Sequence, residues 1–393
     1  MPSVPDRFAR RMGITVAPHW RVFSAFFLYA FSLGGLFPRL PEIRTQMGIG
    51  ESALGLALIG ISVGTMTSLT LIVPKVERFG HRRLLLALLP VTPIFFALAS
   101  HMQTPVTLFA ALFFAGLAVG CIETFVNLEA DRVEHQLKRR IMNRSHAFWS
   151  FGFFAAGTFS AVVTHWELSP QLQLWASVLI VSVLTTFLLG KFDAAPARTS
   201  TSGEQGTPIW VSPTKGIALL VGVCASALLL EGAGFDWSAI YMRNVFNSEA
   251  AFAATAVSTV ALAQATTRFL ADSFVQRFGP VQVVRFLLVV LLAGATMVSF
   301  APTPWYAMTG FALLGVGSSA VFPLAMSAAA QRTDRSSTIN VAAMAQYGFI
   351  IFLLAPPILG FIAEHVGVRW SFGAAIPLIF LSLITSNALA SKN

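Results

Sequence analysis

Twelve apolar runs, each long enough to cross a lipid bilayer as a helix, divide this sequence. They lie near 19–37, 52–73, 84–100, 106–127, 146–164, 171–190, 215–235, 251–271, 283–300, 305–329, 340–362 and 370–390. A helix rises 1.5 Å per residue, so about 20 apolar residues cover a hydrocarbon core of roughly 30 Å. In lipid every backbone polar group must be satisfied internally, and a run of this length does so as a helix. The composition agrees, with 55% of residues hydrophobic and only 11% charged, against about 25% charged in soluble domains. The expected fold is an all-α membrane protein of twelve transmembrane helices. Arg7, Arg10 and Arg11 before the first run, with Arg21 at its start, resemble the basic region of a signal peptide. That run is long enough to span and no small-residue cleavage site follows it, so it reads as an uncleaved first helix.

The longest connector, "KFDAAPARTSTSGEQGTPIWVSPT" at 191–214, is rich in Ser, Thr, Pro and Gly and has the composition of a flexible linker. It divides the chain into a six-span half at 1–190 and a second at 215–393. With the N-terminus inside, inward-facing segments hold 21 of the 26 Lys and Arg residues. Outward-facing segments hold only Arg39, Arg44, Arg243 and Arg369. That bias puts both termini in the cytoplasm, and it explains the net charge of +9 without a nucleic-acid partner. The halves also echo each other. "VERFGHRRL" at 76–84 matches "VQRFGPVQV" at 275–283 at an offset of 199, and "GESALG" at 50–55 matches "NSEAAF" at 247–252 at about 198. Two matches on equivalent sides of equivalent spans indicate an internal duplication, as in transporters built from parallel six-helix halves.

"PKVERFGHRRLLL" at 74–86 resembles the loop 2–3 signature of the major facilitator superfamily, Gly-x-x-x-Asp-Arg-x-Gly-Arg/Lys-Arg/Lys. Glu77 stands at the acidic position, Arg78 and Gly80 match, and Arg82 and Arg83 supply the basic end. Val73 replaces the leading Gly, and His81 occupies one basic position. Within the superfamily the chain resembles the bacterial inner-membrane YbjJ-type subgroup through "RLPEIR" at 39–44, "ETFVNLEA" at 123–130, "EGAGFDW" at 231–237 and "APPILGFIAEH" at 355–365. More distantly it is similar to fucose-permease-type sugar–proton symporters. The resemblance implies two pseudo-symmetric six-helix bundles and transport by alternating access. It also implies a latch, in which Glu77 faces the N-terminus of span 11 near Asn340, with Arg78 and Arg82 beside it. The alternative is an ordinary solvated basic loop. The antiporter pattern of a Gly-x-x-x-Gly-Pro run is not matched by "FGFFAAGTFSAVV" at 151–163, which leans toward symport or uniport.

Charged and polar residues inside apolar spans are expensive and mark function. Gly116, Gly120, Glu123 and Asn127 are spaced to share one helical face. The two glycines suit close helix packing. Glu123 is either a structural hydrogen-bonding group or one wall of a wet cavity. Counting from the outer end of span 4 puts it about 25 Å down, in the cytoplasmic third. Arg268 counts to a similar depth in span 8, with Gln264 one turn above and Asp272 one turn below. It pairs within its helix to Asp272, or reaches Glu123 or an anionic substrate, with His146 at the start of span 5 able to join. Glu231 counts to about 24 Å up span 7, in the outer half, and Gly232 and Gly234 after it permit an unwound or bent helix. Arg39 is expected to pair with Asp236 or Glu231 as an outer gate, or else these are ordinary interfacial charges. Phe148, Trp149, Trp237 and Tyr347 fit packing or the interfacial belt better than a ligand site.

The function expected is secondary active transport of a small polar solute, sugar-like or zwitterionic, across the bacterial inner membrane by a monomer in the lipid bilayer. Proton coupling would use a carboxylate that binds and releases a proton as access switches, with Glu123 and Glu231 as candidates. A proton-driven exporter of drugs or metabolites is the second reading. A non-transporting sensor on the same scaffold is the third, and it would be expected to carry an output domain, where only the linker and a tail "SKN" are seen. No phosphate loop, nucleophile elbow or metal-ligand cluster suggests an enzyme, a metal or a cofactor. Cys121 and Cys224 fall inside spans and read as small core residues.

Overall fold

The structure, a computed structural model, describes residues 16–76, 79–138, 141–189 and 211–390. Glu77 and Arg78 of the loop 2–3 signature lie outside the described residues, as does most of the linker. Among the described residues, twelve helical segments are long and apolar enough to cross a membrane: Pro18–Met47, Glu51–Ile72, His81–Ala99, Pro105–Leu137, Arg144–His165, Pro170–Leu189, Lys215–Asp236, Ala250–Ala271, Pro280–Ser299, Pro304–Ala330, Ile339–His365 and Trp370–Leu389. They are numbered here as spans 1 to 12. Two compact units result. One holds residues up to Ile49 and Leu56–Ser200, and the other holds Gly50–Gly55 and Thr201–Asn393.

The duplication is written into the backbone at the same offset of 199. Gly48 and Asn247 each close a helix in the left-handed conformation (φ 64° and 50°), and Gly80 and Gly279 each precede a helix at φ 82° and 79°. Spans 2 and 4 approach so closely that a Cβ on Gly116 would lie 2.2 Å from the carbonyl oxygen of Ile61. Spans 8 and 10 repeat the contact, with Gly315 at 2.4 Å from the Val260 oxygen. Gly116 therefore packs helices, as its spacing suggests, and Gly120 does so as well, 2.8 Å from Ser68.

Spans 1, 7 and 4 are among those that differ from their apolar runs. Span 1 breaks at a 3-10 turn over Phe37–Arg39 and then continues as helix Leu40–Met47. Span 7 breaks at Trp237 and continues as Ser238–Phe246, at the equivalent place. The Gly232–Gly234 stretch stays helical, so the glycines do not unwind it. Span 4 belongs to a 33-residue helix, Pro105–Leu137, that runs ten residues beyond its apolar run. Polar residues prolong these helices because backbone bonding continues where lipid burial ends.

Thr214 caps span 7, its side chain accepting from the Ile217 N–H at 3.4 Å. Its hydroxyl also donates to Asp334 at 2.7 Å. That bond, with Asn340 and Arg332 adding, pulls the Asp334 carboxyl down to about 2. A carboxylate depressed in the fold stabilises it above the ordinary value of 3.8, and the contribution is lost as pH falls through about 2. Asp334→Asn should therefore lower the melting temperature slightly at pH 7, with wild type and variant converging below pH 2 in thermal melts. The effect is small because the group is exposed.

Candidate functional site

Among the described residues, each unit holds a carboxylate-centred polar cluster inside its spans. In the first unit, Tyr29 of span 1 donates its hydroxyl to Glu123 Oε2 of span 4 at 2.8 Å. Asn127, one turn along, donates to the Glu123 backbone carbonyl at 2.7 Å and contacts Oε1 at 3.5 Å. Tyr29 faces the Trp149 ring of span 5 at 6.4 Å between centroids. One turn away on both helices, Phe26 meets His146 edge-on at 5.1 Å. Span 1 and span 5 can run this close because Gly152 lies against the Phe27 carbonyl, where a Cβ would be 2.2 Å away. Glu123 thus has neutral hydrogen-bonding partners and is in no ion pair among the described residues. It stands 18 residues from the start of its helix and 14 from the end, so it sits near the helix midpoint rather than toward one end.

In the second unit, Arg268 pairs with Glu231, a carboxylate partner among the described residues. Arg268 Nη2 lies 3.1 Å from Glu231 Oε1, and its Nε donates to the Ser319 carbonyl at 2.8 Å. The side chains are 19% and 10% exposed, so the ion pair is largely buried and joins spans 7, 8 and 10. A buried pair is tolerable only when its geometry is good and further hydrogen bonds satisfy it, and the Ser319 carbonyl is one such bond. The counted depths, which set Glu231 and Arg268 far apart along the membrane normal, are corrected here. Glu231 stands 16 residues from Lys215 and 5 from Asp236, Arg268 stands 18 from Ala250 and 10 from Phe278, and the 3.1 Å contact sets the two level with each other. Gln264 is fully buried one turn from Arg268, and neither atom of its amide has a partner in the described structure. The Asp272 side chain lies outside what the structure describes.

Arg39 is expected to meet Asp236 or Glu231, but its guanidinium is committed elsewhere. It donates to Glu42 at 3.1 Å, to the Thr164 hydroxyl and to the Leu168 carbonyl, with 1% of the side chain exposed. It therefore fastens the break in span 1 to the end of span 5. Asp236 is buried beside the matching break in span 7. Arg39→Lys keeps the charge but loses the planar fork, leaving buried acceptors unsatisfied. A loss of about 1–3 kcal/mol of stability is expected, measured as a lower melting temperature in detergent. In loop 2–3, His81 opens span 3 and its Nδ1 lies 3.6 Å from Glu129 Oε2 of span 4, with both side chains buried. Arg82 is partly buried beside it.

Tyr29 and the Ser319 carbonyl were not expected in these clusters, and the separate His81–Glu129 pair was not expected either. Tyr29 left one signal. It is the only tyrosine in the first six spans, of four in the chain. A backbone carbonyl leaves none.

The glycine contacts repeat between the halves, but the polar clusters do not. At the offset of 199, Glu123 corresponds to Phe322, Arg268 to Leu69, Tyr29 to Leu228 and Glu231 to Ser32. The scaffold is shared, while the charged chemistry is particular to each half.

Comparison with known proteins fits this architecture. A family model described as Major Facilitator Superfamily matches residues 22–230 and again 219–390. An uncharacterized MFS-type transporter of Yersinia pestis is 28% identical over 364 residues, 92% of this chain and 93% of that protein. The crystal structure of a point mutant of the nucleoside transporter NupG superposes with a TM-score of 0.73 at 13% identity, over 95% of this chain and 99% of that one. The Escherichia coli fucose:proton symporter FucP superposes at 0.60 with 17% identity, over 95% and 99%. The chain is a multi-pass membrane transporter protein of the Major Facilitator Superfamily, not an enzyme.

Proposed function

We propose that this chain is a proton-coupled secondary transporter that moves a small polar solute across the bacterial inner membrane by alternating access. It acts as a monomer in the lipid bilayer with both termini in the cytoplasm, an orientation supported by the Lys and Arg bias. The observation that carries the reading is the pair of carboxylates inside the spans, in contrasting settings. Glu231 is ion-paired to Arg268, and Glu123 is held by Tyr29 and Asn127. A carboxylate with neutral partners can gain or lose a proton without breaking an ion pair. Protonation of Glu231, in contrast, would weaken its hold on Arg268 and let the guanidinium meet a polar solute. Trp149 and Tyr29 offer ring surface beside Glu123, which suits a hydroxyl-bearing solute. The solved structures similar in fold, one named for nucleosides and one for fucose and protons, agree with such a solute. His146, Asn127 and Gln264 are the polar neighbours of the two carboxylates in this reading. Arg39 and Asp236 at the two breaks, and Glu77, Arg78 and Arg82 in loop 2–3, serve its gates.

The test is uptake by proteoliposomes against a panel of sugars, nucleosides, amino acids, peptides and organic acids, with an imposed pH gradient. At least one polar solute should accumulate, and Glu123→Gln or Glu231→Gln should abolish the pH dependence. Accumulation only of apolar cationic drugs would replace this reading with the exporter.

A further inference from the structure

The connector between spans 11 and 12 turns at Gly367, which takes φ 108°, a conformation open mainly to glycine. Just beyond the turn comes Arg369, one of the four basic residues in the outward-facing segments. Its Nη1 donates to the Ala301 carbonyl at 2.7 Å and lies 3.5 Å from both the Ser299 carbonyl and the Tyr241 hydroxyl. The guanidinium carbon lies 5.5 Å from the centre of the Phe246 ring and 6.0 Å from that of Tyr241. All of these residues belong to the second unit.

Capping explains one nitrogen of Arg369 but not its charge. Ser299 and Ala301 lie at the end of span 9, where a cation beside the last carbonyls is favourable. The first half meets the same need with a neutral group. Ser100 is the counterpart of Ser299 at the offset of 199, and its carbonyl accepts from the Gln171 amide at 2.8 Å. An amide therefore suffices at this helix end. Arg369 brings a full positive charge as well, and it is in no ion pair among the described residues. Its Nε and Nη2 donate to no protein group there either. Those two nitrogens form one edge of the guanidinium, the kind of edge that takes a carboxylate through two parallel hydrogen bonds. The anchored Nη1 and the two rings hold the fork in place.

Arg369 lines a cavity of about 450 Å³, whose walls also include Asn244, Val245, Val366, Val368 and Trp370. That volume falls in the range of small-molecule sites. Val366 and Trp370 are exposed, so the apolar wall is open to a ligand. The lining combines one uncompensated cation, one amide and apolar side chains. We propose that this cavity binds an oxyanion carried on an apolar body. The oxyanion meets the Nε–Nη2 edge of Arg369, and the body lies against Val366, Val368 and Trp370. A free organic acid and an anionic lipid both supply this chemistry. The site uses neither Glu123 nor the Glu231–Arg268 pair, so it stands apart from the proposed transport reaction.

The test is calorimetric titration of the full-length protein with benzoate, in phosphatidylcholine nanodiscs. Arg369→Gln is the main variant, because the Gln171 contact shows that an amide can serve the cap. Its melting temperature should stay near that of the wild type. Wild type should bind benzoate saturably, and Arg369→Gln at least about tenfold more weakly, through loss of the charged hydrogen bonds. Arg369→Lys keeps the charge without the fork and should fall between the two. Benzyl alcohol, which carries no charge, should not distinguish wild type from Arg369→Gln. Phosphatidylglycerol is then added to the discs. Benzoate affinity that falls in wild type but not in Arg369→Gln would make the lipid the occupant, and unchanged affinity would make it the free acid. Benzoate that does not bind wild type, or that binds Arg369→Gln equally well, would overturn the site. Should Arg369→Gln not fold, Arg369→Lys carries the same comparison.

Discussion

Arg268→Met is expected to destabilise the protein by about 3–5 kcal/mol and to abolish transport. The substitution removes one partner of a largely buried ion pair and leaves Glu231 uncompensated among spans 7, 8 and 10. It also takes the donor from the Ser319 carbonyl. Removing both charges in Arg268→Met/Glu231→Leu should recover most of the stability, because a buried pair replaced by apolar groups of similar volume is often neutral or better. Transport should not recover with it. That split between melting temperature and uptake separates a functional pair from a structural one. A single Arg268→Met that melts like wild type would show that the pair does not hold the three spans together. A double variant that transports would show that the pair is only structural.

Gly116→Ala and Gly315→Ala should each cost about 1–3 kcal/mol, with similar losses at the two sites. The added Cβ would sit 2.2 Å from the Ile61 carbonyl oxygen in one half and 2.4 Å from that of Val260 in the other. Both obstacles are helix backbone, so whole spans must part to make room. Gly232→Ala is the control. Its Cβ would find nothing nearer than 3.8 Å, at Ala355, and alanine favours a helix over glycine, so its melting temperature should hold or rise. Equal losses at Gly116 and Gly315 would confirm that the duplicated halves share one packing solution. A tolerated change at either site would break that equivalence.

The twelve spans were legible because their signal is compositional, and lipid admits few alternatives to a helix. The duplication was legible from two short matches, and the structure repeats it in the Gly48/Asn247 caps, the Gly80/Gly279 turns and the Gly116/Gly315 contacts. The partner of Arg268 was not legible. Counting residues from the ends of apolar runs put Arg268 level with Glu123 and Glu231 well above both. Spans 4 and 7 in fact continue as helix into polar sequence, where hydropathy gives no warning. Glu231 and Arg268 then fall within reach of each other. The break at Phe37–Arg39 was hidden for the same reason, since "RLPEIR" is polar enough to look like a loop. Arg39 therefore read as a gate partner of Asp236 or Glu231, or else as an interfacial charge, whereas it is 1% exposed and bonded to Thr164 and Leu168.

The central claim, that protons drive this carrier through Glu123 and Glu231, is most directly tested by proton movement itself. Proteoliposomes loaded with a pH-sensitive dye receive, with no imposed gradient, the solute identified by the uptake panel. The lumen of wild-type vesicles should acidify as solute enters. Glu123→Gln and Glu231→Gln should each abolish or severely reduce that acidification, and at least one should retain solute exchange at equilibrium. Solute-driven acidification that persists unchanged in both variants would contradict the account.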